Sequence, residues 1–200
     1  MTNCPACNRP LPPKNVGRFA KGKGESLETE CCKRFGVWWG RGRFIRTKVM
    51  QCTGTSNRMA HGDIACVVGE SPIRLDEEFP FSVECKNDEG WRFEHLFDLQ
   101  KRKNSPIELF WKQCIEDAER WQKIPLLAIK KNFVPIVVVL RFADLEQWNR
   151  SIDPLLRPRH GEYLHPLFRC YVPYKGEKQK IVATTLDEFF RYFTPKHRVV

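Results

Sequence analysis

Phe79-Pro80-Phe81-Ser82-Val83-Glu84-Cys85-Lys86 alternates apolar and polar side chains as a half-buried strand does. Phe81, Val83 and Cys85 fall on one face, and Ser82, Glu84 and Lys86 on the other. A carboxylate and an ammonium therefore stand side by side on one strand face, an arrangement able to hold a hard divalent cation and activate a water molecule. In a chain with 34 basic and 24 acidic residues an acidic-x-Lys triplet is a weak signal by itself. The competing reading is an exposed ion pair of little energetic value.

Upstream, His61-Gly62-Asp63-Ile64 supplies a second carboxylate at the head of another candidate strand, Gly62 to Gly69. Asp63 could instead cap a turn after Gly62. Residues 25–36 predict a helix in which Leu27, Cys31 and Phe35 form the buried stripe, Glu28 and Cys32 the row beside it, and Gly36 the end. Residues 43–50 predict a strand and 53–59 a loop, and the charged turn 71–78 leads into the Phe79–Lys86 strand as a hairpin. The polar, aromatic stretch 87–104 reads as a loop near a substrate. Ser105-Pro106-Ile107-Glu108 is a helix start: N-cap serine, proline at the first helical position, glutamate in the first turn. That helix should run to about Lys123, burying Ile107, Trp111, Cys114, Ala118 and Trp121, with Gln113, Asp117 and Arg120 on a more polar side. Residues 126–130 and 135–141 predict strands joined by the basic turn Lys131-Asn132-Phe133. The core pattern then closes near Phe142. A helix at 143–150, short strands at 169–173 and 180–183, and a last helix capped by Thr185 follow.

The 200 residues suffice for one domain of about 150 with appendages. The longest apolar run, Pro135 to Leu140, is far short of the roughly 20 residues that span a bilayer, so no membrane association is expected. The start of the chain lacks the layout of a secretory signal, and a cytoplasmic location is expected. Nine cysteines, an odd number set mostly in apolar patterns, suit reduced thiols, with Cys66, Cys85, Cys114 and Cys170 as small core residues. A net charge of +10 favours a polyanionic partner, nucleic acid first. The candidate contacts are Lys21, Lys23, Arg41, Arg43, Lys101, Arg102 and Lys103, with Lys14, Arg18, Arg46 and Lys48 adding to the basic runs. Trp38, Trp39, Trp91 and Phe93 interleave with these charges and could stack on bases. Cys4-Pro-Ala-Cys7 has the gap of half a zinc site. Cys31 and Cys32 could complete it, although neighbours on a helix point about 100 degrees apart.

The order of these motifs resembles the PD-(D/E)xK nuclease superfamily, and within it the Holliday-junction resolvase-like branch. The resemblance covers roughly residues 22 to 141. It rests on Lys23-Gly24-Glu-Ser-Leu-Glu28, Gly62-Asp63-Ile64, Glu84-Cys85-Lys86, and Trp111-Lys-Gln113 leading to Pro125-Leu-Leu-Ala-Ile-Lys130. It implies an α/β fold, a central mixed sheet flanked by helices. The chain then divides into an N-terminal arm or zinc knuckle at 1–22, a nuclease core at 23–142, and a C-terminal extension at 143–200 packed on that core. It further implies a Mg²⁺- or Mn²⁺-dependent endodeoxyribonuclease that resolves branched DNA as a homodimer, in the host cytoplasm if phage-encoded. Asp63, Glu84 and the carbonyl of Cys85 would bind the ion, and Lys86 would orient or deprotonate a water or stabilise the pentacovalent state. Glu28 would hold a water on the ion or a second ion, and Gln113 would support the site or bind phosphate. Glu25 and Glu30 compete with Glu28. Asp76 competes with Asp63, although Arg74-Leu-Asp-Glu-Glu78 reads as a solvated turn, and His61 could touch a phosphate. The same fold acting on linear, single-stranded or flap DNA, and a non-catalytic DNA-binding module with a zinc knuckle, are the alternatives.

Overall fold

A computed structural model describes residues 16–47, 62–69, 74–91, 106–151, 168–175, 177–193 and 195. Within these lie α1 (Val16–Trp39), β1 (Arg43–Arg46), β2 (Ile64–Val68), β3 (Arg74–Leu75) and β4 (Phe81–Asn87). They continue with α2 (Pro106–Arg120), β5 (Ile124–Lys130), β6 (Val137–Arg141), α3 (Phe142–Ser151), β7 (Phe168–Tyr174), β8 (Glu177–Thr185) and α4 (Leu186–Tyr192). Outside the described residues fall Cys4, Cys7, Lys14, Lys48, the 53–59 loop, His61, Phe93, Lys101, Arg102, Lys103 and Ser105. So do the side chains of Arg18, Lys21, Lys23 and Cys170.

The strands form one eight-stranded mixed sheet in the order β1-β2-β4-β5-β6-β8-β7, with β3 on β2. Only the β4–β5 pair is parallel, and α2 makes the crossover that a parallel pair requires. The period-two pattern of β4 sorts its side chains between the two faces. Phe81, Val83 and Cys85 meet Leu27, Cys31 and Phe35 of α1 in the larger core, to which α4 adds Leu186 and Phe189 and the residue after it Phe193. On the other face α2 lays Ile107, Trp111, Cys114 and Ile115 over Leu127, Ile129, Val137 and Val139. Among the described residues no helix is long and apolar enough to cross a membrane.

Several expectations change. α1 begins at Val16, inside the stretch assigned to an arm, and runs past Gly36 to Trp39. Gly40, at φ 68, ends it, with its N–H bonded to the carbonyl of Gly36. Gly36 stays helical because continuing the helix lets Trp38 and Trp39 reach the core. Those tryptophans and Trp91 are buried, so none is offered to bases. Trp38 donates to the Phe193 carbonyl at 2.6 Å, and Trp39 to Asp76 at 2.8 Å. Asp76 is correspondingly no solvated turn residue. It is 4% exposed, accepts the Trp39 bond and one from the Glu78 N–H at 3.1 Å, and lies 3.6 Å from Arg41. The expected hairpin into β4 is split: β2 touches β4 at Ile64–Val83, then diverges to pair with β3.

The largest correction concerns the C-terminal third. The core does not close at Phe142. β8 pairs with β6 along Val137–Arg141 and carries β7 on its outer edge, so the sheet itself continues into the presumed extension. The pattern misled because α3 and a long connection separate β6 from its neighbour β8.

Candidate active site

Asp63 stands just before β2, and its placement depends on Gly62. That glycine has φ 69, and a Cβ there would lie 2.4 Å from the Val83 carbonyl oxygen. Only a residue without a side chain lets the loop press against β4 this closely. Thr47 fastens the loop from the other side: its hydroxyl donates to the Gly62 carbonyl at 2.9 Å, and its N–H to the Asp63 carbonyl at 3.0 Å. The Asp63 N–H donates to Val83 at 2.7 Å, and its carboxylate accepts the Cys85 N–H at 2.9 Å. Asp63 is thus locked over the strand that carries Glu84.

Glu84 is 3% exposed on the α2 face of β4. Its Oε1 accepts from the Lys86 ammonium at 2.5 Å and from the Gln113 amide at 2.7 Å. Burial, and then the charge of Asp63, push the Glu84 carboxyl up to about 7, against the lowering effect of Lys86. Asp117, one helical turn beyond Gln113, adds to the upward push. Phe110, one turn before Gln113, lays its ring 5.7 Å from the Lys86 ammonium. The flank of α2 made by Phe110, Gln113 and Asp117 therefore faces the Glu84–Lys86 pair. The buried Cys114 thiol lies close beneath Glu84, and its pKa is raised well above the ordinary value, first by burial and then by the Glu84 charge.

Asp63, Glu84, Lys86 and Gln113 are thus brought together as the sequence motifs suggested. Glu28 is buried on α1, which packs against the Cys85 face of the sheet. Among the described residues no group of three or more His, Cys, Asp or Glu side chains is placed to share a metal ion. Glu25 lies 3.7 Å from Arg46, and Glu30 pairs with Lys130. Cys31 is a core residue whose thiol meets Cys85, while burial pushes the half-buried Cys32 thiol up to about 12. Of the basic candidates, Arg43 is exposed on β1, whereas Arg41 is engaged by Asp76 and Glu78. Sequence reasoning missed Thr47 and Phe110, and set Asp117 beside Gln113 on the polar side of the helix without giving it a role. Phe110 could have been found, since it lies three residues before Gln113 and Asp117 four after it, on one helix face.

A divalent cation fits this donor set. Two carboxylates lie close enough for one to raise the pKa of the other, the more buried being held up to about 7, and a cation relieves that repulsion. Carboxylate oxygens are also the donors that hard divalent ions take. Residues 20–199 match the family described as "Phage putative PDDEXK endonuclease". No curated protein and no solved structure matches the chain. With an α/β sheet, a strand-borne Glu-x-Lys facing an aspartate, and a match spanning nearly its whole length, the chain belongs to the phage PDDEXK endonuclease family of the PD-(D/E)xK nuclease superfamily.

Proposed function

We propose that this protein is a divalent-metal-dependent DNA endonuclease that hydrolyses phosphodiester bonds at the Asp63–Glu84–Lys86 site. The observation that carries the reading is Glu84, a buried carboxylate raised to about 7 beside a second carboxylate. Asp63 and Glu84 would hold Mg²⁺ or Mn²⁺, with the Cys85 carbonyl as a further oxygen donor. When bound, the ion supplies Lewis-acid charge to the scissile phosphate and a nucleophile at neutral pH. The chain's own groups do the rest. The Cys85 N–H fixes the Asp63 carboxylate. Gln113 and Lys86 both hold Oε1 of Glu84, so Oε2 is committed to neither. Lys86 sets a positive charge where negative charge grows on the phosphoryl oxygens. A net charge of +10 and the exposed Arg43 suit a polyanionic substrate.

Within that class, motif order favours branched DNA: a four-way junction cut symmetrically by a two-fold dimer. The test incubates the wild type and Asp63→Ala with labelled four-way junction, linear duplex and single strand, with Mg²⁺ and with chelator. Paired symmetric cuts in the junction, abolished by the substitution and by chelator, are expected. Cutting of linear or single-stranded DNA alone would keep the endonuclease and discard the junction. Binding without cutting on every substrate would overturn the enzyme.

A further inference from the structure

The turn joining β5 to β6 carries a feature that packing does not explain. Phe133 is fully exposed, and its backbone has φ 60. The Val134 N–H closes the turn on the Lys131 carbonyl at 3.2 Å, which puts Phe133 at the third position. A turn with positive φ at that position takes glycine or asparagine, and a bulky ring there is an outlier. Asn132 sits one place too early to fill the role. The chain thus holds a large apolar ring in water on a backbone that disfavours it.

Its position adds meaning. β4 and β5 run parallel with Lys86 beside Ile129 and Asn87 beside Lys130, so the turn leaves the sheet at the end where Lys86 lies. It is braced there: the Asp88 N–H bonds the Lys130 carbonyl and the Asn132 N–H bonds the Glu89 carboxylate, each at 3.3 Å. Lys131 opens the turn and supplies positive charge at its base.

We propose that this turn is a second DNA contact, in which the Phe133 ring stacks on a base that is unpaired or easily unstacked near the scissile phosphate, while Lys131 takes backbone phosphate. The inference rests on the endonuclease reading and sharpens it. Every base offers a face to an aromatic ring, so the contact favours branch points and single strands over paired duplex without reading sequence. A braced turn holds the ring out at little further ordering cost when DNA arrives.

The test uses the full chain and four proteins: wild type, Phe133→Gly, Phe133→Trp and Lys131→Ala. Binding is measured in chelator by anisotropy to a flap and a matched duplex, each carrying 2-aminopurine beside the branch position. Cleavage is measured with Mg²⁺. Phe133→Gly should weaken flap binding roughly tenfold, with a smaller loss on duplex, and remove the fluorescence change, while Phe133→Trp keeps both. Its melting temperature should be unchanged or higher, because glycine suits the backbone there, so lost binding cannot be lost folding. Lys131→Ala should weaken both DNAs alike and lower the salt slope by about one. Wild type that cuts DNA while Phe133→Gly binds the flap equally well overturns the stacking contact alone. A changed sedimentation coefficient with unchanged DNA affinity also overturns it, in favour of a protein partner. Wild type that neither binds nor cuts any DNA overturns the endonuclease reading with it.

Discussion

At the scale of single residues, the site depends on two positions whose roles differ in how well the sequence shows them. Gly62 is silent as a letter, yet a Cβ at that point would meet three backbone atoms of Val83 within 3 Å. Gly62→Ala is therefore expected to cost roughly 2–3 kcal/mol of stability in urea unfolding, and to displace Asp63 enough to depress cleavage beyond that loss. Glu84 carries a pH signature. Its carboxyl is ordinary when unfolded and raised to about 7 when folded, so between those values the folded protein holds a proton that the unfolded chain has released. Stability is then unpenalised below about pH 4.5, falls as pH rises through this window, and bears the full penalty above 7. In chelator, wild type should lose stability relative to Glu84→Gln over that range, with a constant difference above it. A difference that does not change with pH would contradict the raised carboxyl, and Mg²⁺ at pH 8 should narrow it. The pair Glu84 and Lys86 was legible from strand alternation, and Asp63 from its place in the motif order. Thr47 was not, because a hydroxyl bonded to two carbonyls from a distant loop leaves no local pattern.

At the scale of elements, legibility followed the strength of local signals. α2 and α4 announce themselves by their caps, and the Thr185 hydroxyl does accept the Glu188 N–H at 3.2 Å, as the capping pattern required. Thr185→Ala should cost about 1 kcal/mol in thermal or urea unfolding. Leaving stability unchanged would mean that tertiary contacts of Leu186, Phe189 and Phe193 alone hold the helix. α1 departs from its sequence pattern at both ends, for opposite reasons. Its first turns lack apolar periodicity and read as an arm, while Gly36 looked like a terminator although Trp38 and Trp39 one turn further on are core residues. A glycine costs a helix about 1 kcal/mol, less than burying one tryptophan returns. The short Arg74–Leu75 strand and the buried Asp76 carry the sequence pattern of a solvated turn because charge dominates that stretch. Tertiary contacts from Trp39 and Arg41, far off in sequence, decide otherwise.

At the scale of the whole molecule, the C-terminal third is structural rather than appended. β6 would be an edge strand without β8, and the larger core would lose Leu186, Phe189 and Phe193, each contributing about 2 kcal/mol through burial. A chain ending at Ser151 is therefore expected to lack a cooperative urea transition and the near-ultraviolet circular dichroism of packed aromatics. A truncated protein that unfolds cooperatively would show that the sheet is complete at β6. That dependence was illegible because β6 and β8 are separated in sequence, and pairing across such a gap leaves no periodic trace. The central claim nevertheless concerns the small acidic site that this sheet positions. Its most direct test is the single-turnover rate of Mg²⁺-supported DNA cleavage by wild type and by Asp63→Asn, which keeps the shape and one oxygen to accept the Cys85 N–H. With folding verified by circular dichroism, the rate should fall at least about a hundredfold in the variant. Equal rates for the two proteins would contradict the assignment of Asp63 and Glu84 as the catalytic pair.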